Sequence, residues 1–254
     1  MSFSELAGRT AVVTGASRGF GRAIATRLTN EGVNVIGVAR NTAQLQRLRD
    51  ELGARFTYVS GDVRDALLAQ RLILQHHPDI LVLNAGATPV TAPLHEQTWG
   101  SFSHNWEVDT QHVFNWTRES LRAPLASGSI VIALSSGAAI GGSPLSGGYS
   151  AAKSAIRFIS AYAAHESERA GLGIRFSALL PQLTPTTELG AAGAAAYAER
   201  EGVDVETFLK RFGPLVTPEI VGEAVAELCR ADQGENDMAA LAYLLTGAGL
   251  QGIA

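Results

Sequence analysis

The chain has one cysteine, Cys229, among its 254 residues, so no internal disulfide framework holds it together. It has no run of like charges either. Its 20 basic and 24 acidic side chains are dispersed, for a net charge of −4, which argues against nucleic acid or a membrane surface as partner. No apolar stretch reaches the roughly 18 residues of a membrane span, and the opening MSFSELAGRT lacks the apolar core of a signal peptide. The six histidines show no spacing with acids or cysteines that would assemble a metal site. What is present is 46% hydrophobic residues, enough for one sizeable core. The expectation is a soluble, cytoplasmic chain in which Cys229, set in an apolar helical pattern, is a small buried hydrophobe.

The stretch that organises the rest is Thr14-Gly15-Ala16-Ser17-Arg18-Gly19-Phe20-Gly21. Arg9–Val13 ahead of it reads as a buried strand. Phe20, Ile24 and Leu28 behind it form one apolar stripe of a helix. Strand, glycine-rich turn and helix bring backbone N–H groups and the positive end of a helix together, a setting for a phosphate. Further strands are expected at Val33–Ala39, Arg55–Ser60, Ile80–Leu83, Ile130–Leu134, Ile174–Leu180 (stopped by Pro181) and Ala240–Leu245. Helices are expected at Thr42–Leu52 with Thr42 as N-cap, Val63–Gln75, Thr98–Leu121, Tyr149–Ala170, Glu188–Phe212 and from Thr217-Pro218 to Arg230. Gly141–Gly148 is expected to be a loop. This alternation predicts an α/β chain, a single domain over 1–254: a doubly wound parallel sheet with helices on both faces. In such sheets ligands bind beyond the carboxyl ends of the strands. There Ser17, Arg40, Asp62, Asn84, Ser136 and the residues after Pro181 collect.

Tyr149 and Lys153, four apart, share one face of a helix. A free tyrosine titrates at roughly 10 and is a poor base near neutrality. An ammonium about 4 Å away is worth roughly 4 kcal/mol at an effective dielectric of 20, enough to make a phenol an acid–base group at working pH. Ser136, thirteen positions ahead of Tyr149, ends a strand where its hydroxyl could hold a substrate oxygen.

Six segments now stand in order: Thr14–Gly21, Asp62-Val63, Asn84-Ala85-Gly86, Ser135-Ser136, Tyr149-Ser-Ala-Ala-Lys153 and Leu180-Pro181. Through them the chain resembles the short-chain dehydrogenases/reductases of about 250 residues, nearly end to end. The resemblance implies a Rossmann-like fold, a nicotinamide cofactor and a homodimer or homotetramer packed through the helices at Thr98–Leu121 and Tyr149–Ala170. It implies that Gly15, Ser17, Gly19, Phe20 and Gly21 hold the pyrophosphate, that Asp62 and Val63 meet the adenine, and that Asn84, Ala85 and Gly86 line the adenosine ribose. For Asn84 a purely structural part at the strand end stands as an equal alternative, and Ser135 is read as structural. Tyr149 becomes the acid–base group, Ser136 orients the substrate oxygen, and Lys153 holds the nicotinamide ribose and favours ionisation of the phenol.

The second strand ends Val38-Ala39-Arg40-Asn41, without the carboxylate that usually reads a ribose 2′-hydroxyl. Arg40 and Arg18 instead suit a 2′-phosphate, so NADP(H) is expected over NAD(H). Two departures from the family pattern stand out. Asp109 occupies the place of a helix Asn that, the resemblance implies, places a proton-relaying water for the lysine, partly through its backbone carbonyl. Asp109 is expected to keep that catalytic backbone part while its charge near Lys153 changes the pH profile, with Asn105 as the alternative should the register slip. Gln182 follows Pro181 where glycine is usual, altering the nicotinamide side, where Thr184 or Thr186 could also contact the cofactor. A helical lid at about 184–212, rich in Ala and Leu, predicts a neutral, moderately hydrophobic ketone or secondary alcohol as small-molecule substrate. A dinucleotide-binding regulatory protein, or a dehydratase or epimerase on the same fold, are the alternatives.

Overall fold

The computed structural model describes residues 6–231 and 241–253. Its strands are β1 (Thr10–Thr14), β2 (Asn34–Ala39), β3 (Phe56–Ser60), β4 (Ile80–Leu83), β5 (Ile130–Leu134), β6 (Arg175–Pro181), β7 (Ala242–Thr246) and β8 (Gly249–Ile253). They form one sheet in the order β3-β2-β1-β4-β5-β6-β7-β8. All neighbouring pairs are parallel except β7 and β8, which are antiparallel. The sheet grows in one direction from β1 to β3 and in the other from β4 onward. The reversal between β1 and β4 opens a crevice at their carboxyl ends.

The helices are α1 (Gly19–Asn30), α2 (Thr42–Leu52), α3 (Ala66–His76), α4 (Trp99–Asn105), α5 (Gln111–Arg122), α6 (Ala138–Gly141), α7 (Gly147–Arg169), α8 (Glu188–Glu201), α9 (Val205–Leu209) and α10 (Pro218–Arg230). Side chains alternate along the strands and so divide between two cores. On one face Ala11, Val13, Val35 and Val82 meet Ile24 and Leu28 of α1, Leu45 of α2 and Val221, Val225 and Cys229 of α10. On the other Val12, Ile36, Leu81 and Val131 meet Leu72 of α3, Trp116 of α5 and Ile156 of α7. Each fully buried Leu or Ile contributes about 1.5–3 kcal/mol. Burial pushes the Cys229 thiol up to about 12. Among the described residues no helix is long and apolar enough to cross a membrane.

Several expected boundaries move for local reasons. Asn41, not Thr42, caps α2, its side chain accepting from the Gln44 N–H. The chain turns at Asp62–Asp65, so α3 starts at Ala66 under an Asp65 cap rather than at Val63. It ends on His77 in the left-handed region. The expected loop Gly141–Gly148 is shorter, because α6 reaches Gly141 and α7 starts at Gly147. Pro181 is the last residue of β6 rather than its stop, paired with Leu245, and its carbonyl accepts from the Gly137 N–H at 3.0 Å. Gly202 ends α8 and Asp204 caps α9, dividing the helix expected over Glu188–Phe212. Of the strand expected at Ala240–Leu245, Ala240 lies outside the described residues. The helix expected over Thr98–Leu121 is interrupted by one π-helical segment, Trp106–Thr110, between α4 and α5.

Candidate active site

Thr14 and Asn84 tie β1 to β4 where the crevice opens. The Thr14 hydroxyl donates to the Val82 carbonyl at 3.2 Å and accepts from the N–H groups of Asn84 and Ala85 at 2.9 and 3.2 Å. The Asn84 amide donates back to the Thr14 carbonyl at 3.0 Å, so its side chain is a strand tie as well as part of the crevice wall. The chain then turns at Gly15 (φ +68°), where a Cβ would come within 2.7 Å of Asn84 Nδ2 and 2.9 Å of Ala85 Cα. Gly19, at φ +54°, faces open space and starts α1. This helix has neither a side-chain cap nor an acid in its first turn. Its leading N–H groups at the positive helix end therefore fit an external anion such as a dinucleotide pyrophosphate.

Farther along the crevice the π-helical segment sets Asp109 against α7. Asp109 Oδ2 lies 3.2 Å from Lys153 Nζ, both side chains buried, and Oδ1 accepts from the Ala87 N–H at 2.8 Å. Lys153 also donates to the Leu134 carbonyl at 3.1 Å. Burial works against its charge, but the Asp109 carboxylate and then Tyr149 outweigh that cost and hold the ammonium above the usual lysine range. Its Nζ sits 5.4 Å from the centre of the half-buried Tyr149 ring. The Ser135 hydroxyl donates to the Lys153 carbonyl at 2.7 Å and so secures α7 to the end of β5.

Residues 9–196 match the family model of the short chain dehydrogenases. The chain belongs to the short-chain dehydrogenase/reductase family. It is an enzyme of the dehydrogenase/reductase kind. Among its relatives, the cis-4-hydroxycyclohexanecarboxylate dehydrogenase of Sinomonas cyclohexanicum is 33% identical over 231 residues, 87% of this chain and 88% of that one. The NADP-dependent 3-hydroxy acid dehydrogenase of Salmonella typhi is 28% identical over 84% of this chain and 86% of its own length. A crystal structure of the 3-ketoacyl-(acyl-carrier-protein) reductase from Brucella melitensis, complexed with NADH, superposes with a TM-score of 0.76. It covers 95% of this chain and 98% of that one at 24% identity, a likeness of fold.

In this dehydrogenase/reductase the crevice has a volume of about 1820 Å³. Gly15, Ser17, Arg18, Gly19, Phe20, Arg40, Asp62, Val63, Asn84, Ala85, Gly86, Asp109, Tyr149 and Lys153 all line it. Gly21, Ser136, Pro181 and Thr184 are not part of that lining. Gly21 packs α1 on the turn, since a Cβ there would collide with the Gly15 carbonyl and the Asn84 amide. The Ser136 hydroxyl accepts from the Ala138 N–H at 3.2 Å, and the Thr184 hydroxyl donates to the Gln182 carbonyl at 3.0 Å. Asn105, the alternative to Asp109, donates instead to the Ala87 carbonyl at 2.9 Å. Arg18 pairs with Glu188 at the start of α8, across the crevice mouth.

Other residues with a part in this site went unassigned in the sequence. Arg64 clasps the Asp62 carboxylate, with Nη2 2.6 Å from Oδ2, and that hydrogen bond holds the carboxyl below its usual range. From α5, Asn115 donates to the Arg64 carbonyl and Trp116 to the Val63 carbonyl, each at 2.8 Å. His112 Nδ1 is 3.1 Å from the Ala85 carbonyl, which can only accept, so that nitrogen carries the proton. Burial pushes His112 down to about 3, leaving it neutral. Thus one face of α5, spaced i, i+3 and i+4, fastens the loops after β3 and β4. That spacing, following directly on Asp109, was the available signal.

Proposed function

We propose that this cytoplasmic enzyme interconverts a neutral, moderately hydrophobic ketone and the corresponding secondary alcohol, with NADP(H) preferred over NAD(H). The observation that carries the reading is the buried Lys153 ammonium, fixed from two sides and standing beside the Tyr149 ring inside the crevice. A bound nicotinamide dinucleotide supplies or accepts the hydride. Tyr149 donates a proton to the substrate oxygen during reduction and withdraws it during oxidation, Ser136 orients that oxygen, and Lys153 favours ionisation of the phenol.

In this reading Gly15, Ser17, Gly19 and Phe20 hold the pyrophosphate, with Gly21 keeping α1 close. Asp62 and Val63 meet the adenine, Asn84, Ala85 and Gly86 the adenosine ribose, and Lys153, Pro181 and Thr184 the nicotinamide end. Arg40 and Arg18 receive the 2′-phosphate. The Arg18 pair with Glu188 is exposed on both sides and so is worth about 0–1 kcal/mol. A doubly charged phosphate readily replaces such a partner. Residues 184–212 act as the substrate lid, with Leu189 and Ala192 facing the crevice, which favours an apolar substrate body. The exposed rings of Phe114 on α5 and of Phe158 and Tyr162 on α7 support assembly into a homodimer or homotetramer through these helices.

The test uses Y149F. It should bind NADPH, followed by fluorescence, within about threefold of the natural chain while ketone turnover falls by about 10² to 10⁴. Full turnover would overturn the acid–base assignment. A higher kcat/KM with NADH than with NADPH would overturn the cofactor preference.

A further inference from the structure

Asp109 is a carboxylate neighbour of Lys153 that takes no part in the proposed hydride and proton transfers. Its carboxylate is 1% exposed and closely confined, for a Cβ on Gly86 would come within 2.9 Å of Oδ2. One oxygen is spent on the Ala87 N–H. The other has the Lys153 ammonium at 3.2 Å and, among the described residues, no other hydrogen-bond partner. An amide here could still accept from Ala87, but it would turn N–H groups toward the ammonium. A carboxylate suits both neighbours. The phenol at 149 consequently faces a closely matched pair of opposite charges instead of an isolated cation.

We propose that Asp109 is a positioning residue that neutralises Lys153 and thereby moves the pH dependence of the reaction upward. This rests on the reading of Tyr149 as the acid–base group. The other groups around the ammonium leave the effect to Asp109. From β5 the Leu134 carbonyl accepts from the ammonium, and His112 from α5 is neutral. Asp62 is compensated by Arg64, and Glu107 accepts from the Ser103 hydroxyl. His104 of α4 lines the same crevice, so the comparison is made in an H104Q background.

The experiment is an ultraviolet tyrosinate titration of the cofactor-free protein and of D109N, each minus its Y149F counterpart so that only Tyr149 contributes. Tyrosinate should appear about one pH unit lower in D109N. The pH profile of alcohol oxidation should move acid-ward by the same amount. Coincident titrations alongside an inactive Y149F would overturn this inference alone. A fully active Y149F would overturn the acid–base reading and the pH argument with it. D109S, which also removes the charge, carries the same comparison should D109N not fold.

Discussion

The glycine-rich wall of the crevice and the wall made by residues 184–212 face one another, but they are held in different ways. At the first, Thr14 and Asn84 tie two central strands together through side chain and backbone. Helix α1 lies so close that Gly15 and Gly21 leave no space for a methyl group. The second wall packs largely on itself. Ala194, Ala198 and Phe208 form a small cluster of their own with Tyr197, Leu209 and Phe212, and the Tyr197 and Phe208 rings stack with centres 5.8 Å apart. Polar contacts join it to the rest of the molecule, through Tyr197 to Ser143 and Ser146 ahead of α7 and through Glu188 to Arg18 at the crevice. Segments with few apolar ties to a main core open at lower free energy. The wall proposed for the phosphate is thus built into the sheet, and the wall proposed for the substrate is an appended cluster.

Three substitutions test this contrast. Gly21→Val should have the largest effect, because its side chain has to displace backbone. Overpacking of this kind costs about 1–3 kcal/mol or more, and NADPH affinity should fall at least about tenfold. Thermal melting and fluorescence titration measure the two, and a variant as stable as the natural chain would refute the close packing. Tyr197→Phe removes a hydroxyl whose ties are worth about 0.5–1.5 kcal/mol. The ketone KM should rise several-fold while NADPH affinity holds, whereas a change in cofactor affinity would mean that the two walls are not separable. Glu188→Gln should do least. It releases Arg18 from an exposed pair of about 0–1 kcal/mol, so NADPH should bind up to about fivefold tighter, NADH equally well, and the gain should shrink with added salt. An equal gain with NADH would remove Arg18 from 2′-phosphate recognition.

The same contrast marks what could be read from the amino acids. Runs such as Ile80–Leu83 and Ile130–Leu134 are apolar throughout because the sheet is covered on both faces, and their ends locate the crevice. The turn chemistry around Gly15 is local and therefore legible. The π-helical segment was not, because Trp106–Thr110 keeps an ordinary helical composition and its altered backbone bonding leaves no periodic mark. Nor was β8, whose Gly-Leu-Gln-Gly-Ile resembles a loop until Leu245 and Leu250 pair across the turn. The Arg64 clasp on Asp62 and the α5 anchors under Val63 and Ala85 depend on which side chains meet in space. Residues 115 and 64 are 51 positions apart, a separation no window along the chain detects.

Cys229 offers the enzyme's users a reporter. Its sulfur lies in the inner face of α10 with its ionisation pushed up to about 12, and thiolate is the form that attacks alkylating reagents. Near neutral pH the folded molecule is therefore inert to them, and each labelling event records one excursion that exposed the helix. Because the chain has a single sulfhydryl, the labelling rate gives the opening of that face directly, with no second site to subtract.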